Sequence, residues 1–449
     1  MATPVGFHAL PLPIVQLSLA AVLKCGQSFR WSIFPLLYAS HGDIAVSPTS
    51  PTHEYRFCLR DRLVCLRQSP DTLFYHTVFP EVPTSPTQKA LKEAETLTWL
   101  RDYFQLDIDL MKLYEDWSNR DPVFNKLRSR FSGIRMLRQD PWENLVSFIC
   151  SSNNNISRIT KMVTSLCKHY SPPLLSLLPP CQLDKLGENQ EPESYHPFPP
   201  PSVLAAPEVA SVLRSLGFGY RAEFIQRTAA MLVTAHDLDT AADAREPSEK
   251  WLMTLRDLDT SEAREELLKF IGVGRKVADC ILLMSLDKRE VIPVDTHVQQ
   301  IAVKHYGLRA SSGTKANMTP KLYDEVNTKL AKVWGDYAGW AHSVLFTADL
   351  KSFSSYGLPS PSSPAISADA ESLGKEAIAV PPTPPLTPSP SPIKRRRARE
   401  VTSQPEQAVA IRDEETLQPD DSSFSGSASS LADRVKKRRR VTVDVATKL

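Results

Sequence analysis

The chain has 449 residues and a mass of 50.1 kDa, too long for one small domain, since a single hydrophobic core rarely grows past ~250–300 residues. Its 53 Lys and Arg stand against 51 Asp and Glu, so the net charge of +2 carries no polyanion signature by itself. No stretch approaches the ~18 uncharged apolar residues of a membrane helix, and prolines interrupt the apolar run of MATPVGFHALPLPIVQLSLAAVLK, so neither a membrane role nor a secretory leader is expected.

Seven cysteines, at 25, 58, 65, 150, 167, 181 and 280, include no C-x-x-C pair, which argues against a disulfide framework or a zinc site and for buried thiols. Residues 1–118 mix β-rich runs such as SFRWSIF, YRFCLR and LVCLR with Pro and Asp turns, predicting a small antiparallel sheet with a flanking helix. From 119 to 353 the pattern is helical. Asp140-Pro141-Trp142-Glu143 reads as a helix start with an N-cap Asp and Pro at the first position, and Ile156, Ile159, Val163 and Leu166 mark the next helix. A helix over Glu208–Leu216 should end at Gly217, another should start near Tyr220, and Asp259 with Glu262 should cap a third. The fold class is α+β, predominantly helical.

Ten of the 37 prolines fall in 171–207 and ten more in 351–393, so both stretches are expected to be loops, the first an insertion in the helical domain. Residues 354–449 are rich in Ser, Pro and Ala with few aromatics, the composition of a disordered tail. Its basic charge is packed into Lys394–Arg399 (KRRRAR) and Lys436–Arg440 (KKRRR), which read as nuclear localisation signals or DNA-tethering patches. The expected location is the nucleus, with the mitochondrion left open.

The strongest local signal is Phe270-Ile271-Gly272-Val273-Gly274-Arg275-Lys276-Val277-Ala278-Asp279-Cys280. A capped helix runs into a Gly-x-Gly turn and an apolar helix begins at once, a helix–hairpin–helix whose second N-terminus suits a phosphate. Alone, a plain helical turn fits as well. Downstream, Pro293-Val294-Asp295-Thr296-His297 completes a pattern that resembles the helix–hairpin–helix DNA glycosylases, with the lysine of their bifunctional branch. Gly26-Gln27-Ser28-Phe29-Arg30-Trp31, Ile149–Ile156 (ICSSNNNI), Gly217–Ala222 (GFGYRA) and Tyr337–Ala341 (YAGWA) narrow the resemblance to the eukaryotic 8-oxoguanine DNA glycosylases, in unbroken order over roughly residues 8–353.

The resemblance implies a β-rich, TBP-like domain over 1–118, a two-lobed glycosylase domain over 119–353, and an enzyme that flips a damaged purine out of duplex DNA. Lys276 would attack C1′ of the sugar, forming a Schiff base that permits strand cleavage, and Asp295 would stabilise positive charge on the sugar. Lys276 lies one helical turn before Cys280, so both face the pocket. Cys280 and Phe346 would sandwich the base, and the Gly26 carbonyl would accept the N7 hydrogen that only the oxidised purine carries. Asn153, Arg158, Tyr220 and Arg221 would fill the gap in the stack and contact the orphaned cytosine, while Gly272, Gly274 and His297 would contact the DNA backbone. The Asn-rich turn could equally be a helix cap, and each arginine a phosphate ligand.

His342 stands where the family usually has glutamine. It is expected to read the purine's Watson–Crick edge, with excision weakening as pH falls through an ordinary imidazole pKa of ~6.5. No metal or cofactor is implied, and the four close cysteines of iron–sulfur relatives are absent from the sequence. The implied partner is duplex DNA with 8-oxoguanine opposite cytosine, bound by a monomer. Two alternatives compete: a monofunctional alkylated-purine glycosylase, which would lack Lys276, and a non-catalytic DNA-binding module, which leaves Lys276 and Asp295 without a common purpose.

Overall fold

The computed structural model describes residues 3–36, 50–81, 83–180, 191–236, 245–308 and 319–358. Of the expected tail over 354–449, residues 354–358 are described, with Arg130 Nε donating to Tyr356 O at 2.6 Å; the rest, with both basic runs, and Cys181 lie outside the described residues.

Among the described residues, β1 (His8–Pro11), β2 (Ser32–Pro35), β3 (His53–Cys58), β4 (Leu63–Gln68) and β5 (Thr72–Val78) form one antiparallel sheet in the order β1-β5-β4-β3-β2. Alternation along β4 explains how the sheet is used. Val64 and Leu66 enter one apolar cluster with Trp31, Leu100, Tyr103 and Phe104, whereas Leu63 and Cys65 enter another on the opposite face. The first face is covered by α2 (Pro86–Tyr103), with the short α1 (Leu19–Val22) beside it.

The helices that follow are α3 (Leu110–Arg120), α4 (Pro122–Leu127), α5 (Pro141–Ile149) and α6 (Ile156–Tyr170). The expected start of α5 is present: Asp140 Oδ1 accepts from the N–H groups of Trp142 and Glu143 at 3.0 and 3.1 Å. Arg30, next to β2, donates to both carboxylate oxygens of Glu143 on α5 at 2.9 and 2.7 Å, and this buried bidentate pair ties the sheet to the helices.

The proline-rich stretch 171–207 departs from its expected loop character. Leu175–Leu177 (β6) and Glu193–Tyr195 (β7) pair as an antiparallel hairpin, and Pro201–Ala205 forms α7. The reason is the uncovered second face of the sheet. Tyr195, Leu175 and Leu177 pack on Cys58, Leu63 and Cys65, and Arg56 donates to Tyr195 Oη at 3.0 Å. Prolines that break a helix do not prevent a three-residue ladder from packing on apolar surface.

Beyond it come α8 (Val209–Ser215), α9 (Arg221–His236), α10 (Pro247–Thr254), α11 (Thr260–Leu268), α12 (Arg275–Ser285), α13 (Thr296–Tyr306), α14 (Pro320–Trp334) and α15 (Ala338–Asp349). The Asp259–Glu262 capping box opens α11 as expected. One large apolar cluster runs through these helices and α3–α6.

Candidate active site

The hairpin between α11 and α12 is built by glycine. Gly272 has φ +81°, and a Cβ there would sit 2.4 Å from Phe224 Cδ2, so backbone conformation and close packing against α9 both exclude a side chain. Gly274 is the N-cap of α12, with no side-chain cap and open space where a Cβ would be. The first N–H groups of α12 therefore face outward at the positive end of the helix.

In the first turn of α12, Lys276 is half-buried, with Nζ 3.4 Å from Ser151 Oγ and 5.3 Å above the Phe148 ring. One turn later Cys280 is buried, and burial pushes its thiol up to about 11. It therefore stays protonated near neutrality and offers a packing surface beside Lys276. Asp295 caps α13, its Oδ1 accepting from the N–H groups of His297 and Val298 at 2.9 and 3.0 Å.

His342 and Phe346 lie one turn apart on α15, their ring centroids 5.9 Å apart. The helix comes close because residue 339 is glycine: a Cβ there would be 2.3 Å from Val291 O, and Gly339 N–H donates to Arg289 O at 3.0 Å. His342 is 6% exposed, and neither ring nitrogen has a hydrogen-bond partner among the described residues. Burial pushes its pKa down to about 4, Asp295 opposing and Lys276 assisting. The expected loss of excision on acidification across an ordinary imidazole range is therefore corrected: this ring is neutral throughout that range.

Gly26, Lys276, Cys280, Asp295, His342 and Phe346 line one narrow pocket of about 60 Å³. The pocket shares Gly26, Phe148, Lys276, Asp295 and Phe346 with an open groove of about 820 Å³ that continues past Asn154 and His297. His297 is exposed, its Nδ1 3.2 Å from Asp349 Oδ2.

A second constellation surrounds Asn153, an exposed residue with φ +48° at the tip of the turn between α5 and α6. Tyr220 Oη donates to Ser152 O at 3.1 Å, and Arg221 Nη2 donates to the carbonyls of Ser152 and of Asn153, the latter at 3.1 Å. Arg221 is 4% exposed beneath the turn, whereas Arg158 is exposed and donates to Gly217 O at 3.3 Å. The two arginines expected to act alike thus differ: Arg158 is exposed with a single bond to Gly217 O, and Arg221 is buried with Nη2 bonded to the turn.

Residues 9–145 match the family described as 8-oxoguanine DNA glycosylase, N-terminal domain, and residues 146–333 match the HhH-GPD superfamily base excision DNA repair proteins. The N-glycosylase/DNA lyase of Saccharomyces cerevisiae is 36% identical over 77% of this chain and 86% of its own length. The chain belongs to the 8-oxoguanine DNA glycosylase family. The N-glycosylase/DNA lyase OGG1 of Arabidopsis thaliana is 38% identical over 76% of this chain and 80% of its own. The apo-form crystal structure of Clostridium acetobutylicum 8-oxoguanine glycosylase/lyase superposes with a TM-score of 0.53 at 25% identity, covering 74% of this chain and 93% of that one. Like its relatives, this glycosylase is a bifunctional N-glycosylase/DNA lyase of base excision repair.

Sequence reasoning missed what holds Gly26 in the glycosylase's pocket wall. Gln27 is buried, its Nε2 donating to Arg135 O at 3.1 Å and its Oε1 accepting from Leu137 N–H at 2.9 Å, while Gln139 Nε2 donates to Gln27 O at 2.9 Å. The available signal was a glutamine between Gly26 and the aromatic Phe29 and Trp31, where a buried amide needs dedicated partners.

Proposed function

We propose that the groove takes duplex DNA carrying 8-oxoguanine opposite cytosine, that the lesion turns into the narrow pocket, and that Lys276 displaces it. The observation that carries this reading is that Gly26, Lys276, Asp295 and Phe346 belong to both the groove and the pocket. A base arriving from DNA then meets nucleophile, carboxylate and stacking ring at one threshold. The new Nζ–C1′ bond replaces the C1′–N9 bond, whose electron pair leaves with the base. Loss of an N–H proton and opening of the sugar ring give a Schiff base, and loss of a C2′ proton then expels the 3′ phosphate. Asp295, fixed by two N–H bonds, stabilises positive charge on the sugar.

Selection of the lesion rests on complementary donors and acceptors. The Gly26 carbonyl accepts N7–H of the oxidised purine, whereas guanine would set an N7 acceptor against it, a mismatch of about 1–3 kcal/mol when buried. Neutral His342 has one donor and one acceptor for the base's other edge, and its unpartnered nitrogens support that role. On the opposite strand, the exposed Arg158 reads cytosine and Asn153 fills the gap, with Arg221 holding the turn that carries them. His297 and the N–H groups after Gly274 take the backbone phosphates.

Borohydride trapping tests this reading: an 8-oxoguanine duplex should yield a reduced covalent adduct with the protein and none with Lys276→Gln. Absence of an adduct with the unmodified protein overturns it. We further propose that Lys394–Arg399 and Lys436–Arg440 direct nuclear accumulation; a fluorescent fusion that accumulates equally with both runs neutralised would refute that.

A further inference from the structure

The segment that delivers Asp295 belongs to neither helix nor sheet, so its buried peptide groups need partners from elsewhere. Two side chains of α14 supply them. Asn327 Nδ2 donates to Ile292 O at 3.0 Å, and Val294 N–H donates to the Tyr323 hydroxyl at 3.1 Å. Tyr323 and Asn327 are four residues apart and share a face of α14. The same hydroxyl donates to Asp279 Oδ2 on α12 at 2.5 Å, and the other oxygen of that fully buried carboxylate takes Arg264 Nε at 2.7 Å. A phenol has one proton to give and lone pairs to accept with, so both bonds coexist. The Arg275 guanidinium lies 4.3 Å over the Tyr323 ring and closes it in from the side.

This chain of bonds joins the two halves of the active site. Asp279 stands three residues after Lys276 on the same helix, and Val294 directly precedes Asp295. We infer that Tyr323, seconded by Asn327, is a positioning residue for the reaction: its hydroxyl, bonded at once to Asp279 and to Val294 N–H, sets Asp295 in register with Lys276. The inference rests on the proposed pairing of Lys276 and Asp295 in catalysis. Without the hydroxyl, the loop keeps its Asn327 and Gly339 contacts and loses its side-chain link to Asp279 of α12.

A bond that only satisfied buried groups would lower stability alike in every background, whereas a positioning bond acts through Asp295. Single-turnover excision and duplex affinity are therefore compared for the unmodified full-length protein, Tyr323→Phe, Asp295→Asn and the double variant, with residual rates followed over hours. Tyr323→Phe should excise about 10- to 100-fold more slowly with duplex Kd within about twofold. In the Asp295→Asn background its effect should shrink below about twofold. Tyr114→Phe serves as the control. The buried Tyr114 hydroxyl also bridges two backbone groups, donating to Phe131 O at 2.8 Å and accepting from Ile134 N–H at 3.2 Å; this variant should lower Tm and leave excision unchanged. Equal losses from Tyr323→Phe in both backgrounds, no loss, or a loss explained by weaker duplex binding would overturn the inference. If Tyr323→Phe does not fold, Asn327→Ala carries the same cycle with the same two outcomes. An Asp295→Asn variant of undiminished rate would instead strike the underlying site reading, and the positioning role with it.

Discussion

The pocket wall and the Asn153 turn lie within reach of the same Ser151–Asn154 segment, yet they treat polar groups in opposite ways. In the wall, among the described residues, His342 keeps two unpartnered nitrogens while nearly buried, and Lys276 Nζ stands 3.4 Å from Ser151 Oγ. In the turn, Arg221 and Tyr220 bond carbonyls, Asn154 Nδ2 donates to Cys150 O, and Asn155 Oδ1 accepts from Arg158 N–H. An unsatisfied buried polar group costs about 1–3 kcal/mol, which a ligand returns when it supplies the partner. The wall is thus built with a demand that a base edge can meet, and the turn, where Arg221 Nε alone among these bracing groups is buried without a partner, is a scaffold on which Asn153 and Arg158 stay exposed.

The sharpest way to break this contrast is at Lys276. Lys276→Gln should slow both base excision and strand cleavage by at least about 10³-fold while retaining lesion-duplex affinity, since the nucleophile goes and the rest of the wall stays. Near-normal cutting by this variant in a single-turnover assay would move the nucleophile elsewhere. Next in size is Gly339→Ala. The added carbon would meet Val291 O at 2.3 Å and Leu283 Cδ1 at 2.4 Å, so α15 must shift with His342 and Phe346 on it. Chemical denaturation should show a loss of about 1–3 kcal/mol, with slower excision. Gly274→Ala meets nothing within 4 Å, so it should stay within about 1 kcal/mol of the parent and weaken DNA binding instead.

The scaffold half of the comparison is sharpened by the arginines. Arg158→Ala should relax the preference for cytosine opposite the lesion by about 1–3 kcal/mol of discrimination with Tm unchanged. Arg221→Ala should also lower Tm, because Asn153 O loses its donor, Ser152 O keeps only Tyr220 Oη, and the φ +48° conformation at Asn153 loses its brace. Excision from duplexes with each of the four opposing bases, alongside melting curves, separates the two. Identical behaviour of both variants would erase the distinction between reader and brace.

What was legible in the sequence was local. The Asp140-Pro141 start of α5, the Asp259–Glu262 capping box and the glycine hairpin each complete their chemistry within a few residues, so their spacing displays them. The pocket residues were legible only as members of ordered motifs, because Gly26, Lys276 and His342 meet through folding alone. Hidden from the sequence were features decided by distant partners. β6 and β7 form because the second face of the sheet needs cover. Gln27 finds Arg135 and Leu137 more than a hundred positions away. Arg221 turns inward because carbonyls of the Asn153 turn lie beneath it, which an arginine after Gly-Tyr does not announce.

The smallest effect concerns His342, where burial reverses an expectation drawn from the free imidazole. With its pKa pushed down to about 4, the ring is neutral in the folded protein at every pH from 5.5 to 8. Single-turnover excision by the parent and by His342→Gln should therefore follow parallel profiles over that range, whatever their absolute rates. Stability is where the ring's titration shows. The folded pKa lies below the unfolded value of ~6.5, so the unfolded chain binds the proton first as pH falls. The stability associated with neutral His342 is fully present above ~6.5 and drains away between there and about 4. Between pH 7.5 and 5.5 this group should cost the parent about 1 kcal/mol relative to His342→Gln. Urea denaturation of both proteins at the two pH values measures the difference directly. Equal pH dependence would mean that the ring gains a proton as readily inside the protein as outside, and the pocket wall would then lose its claim to hold an unpartnered neutral imidazole.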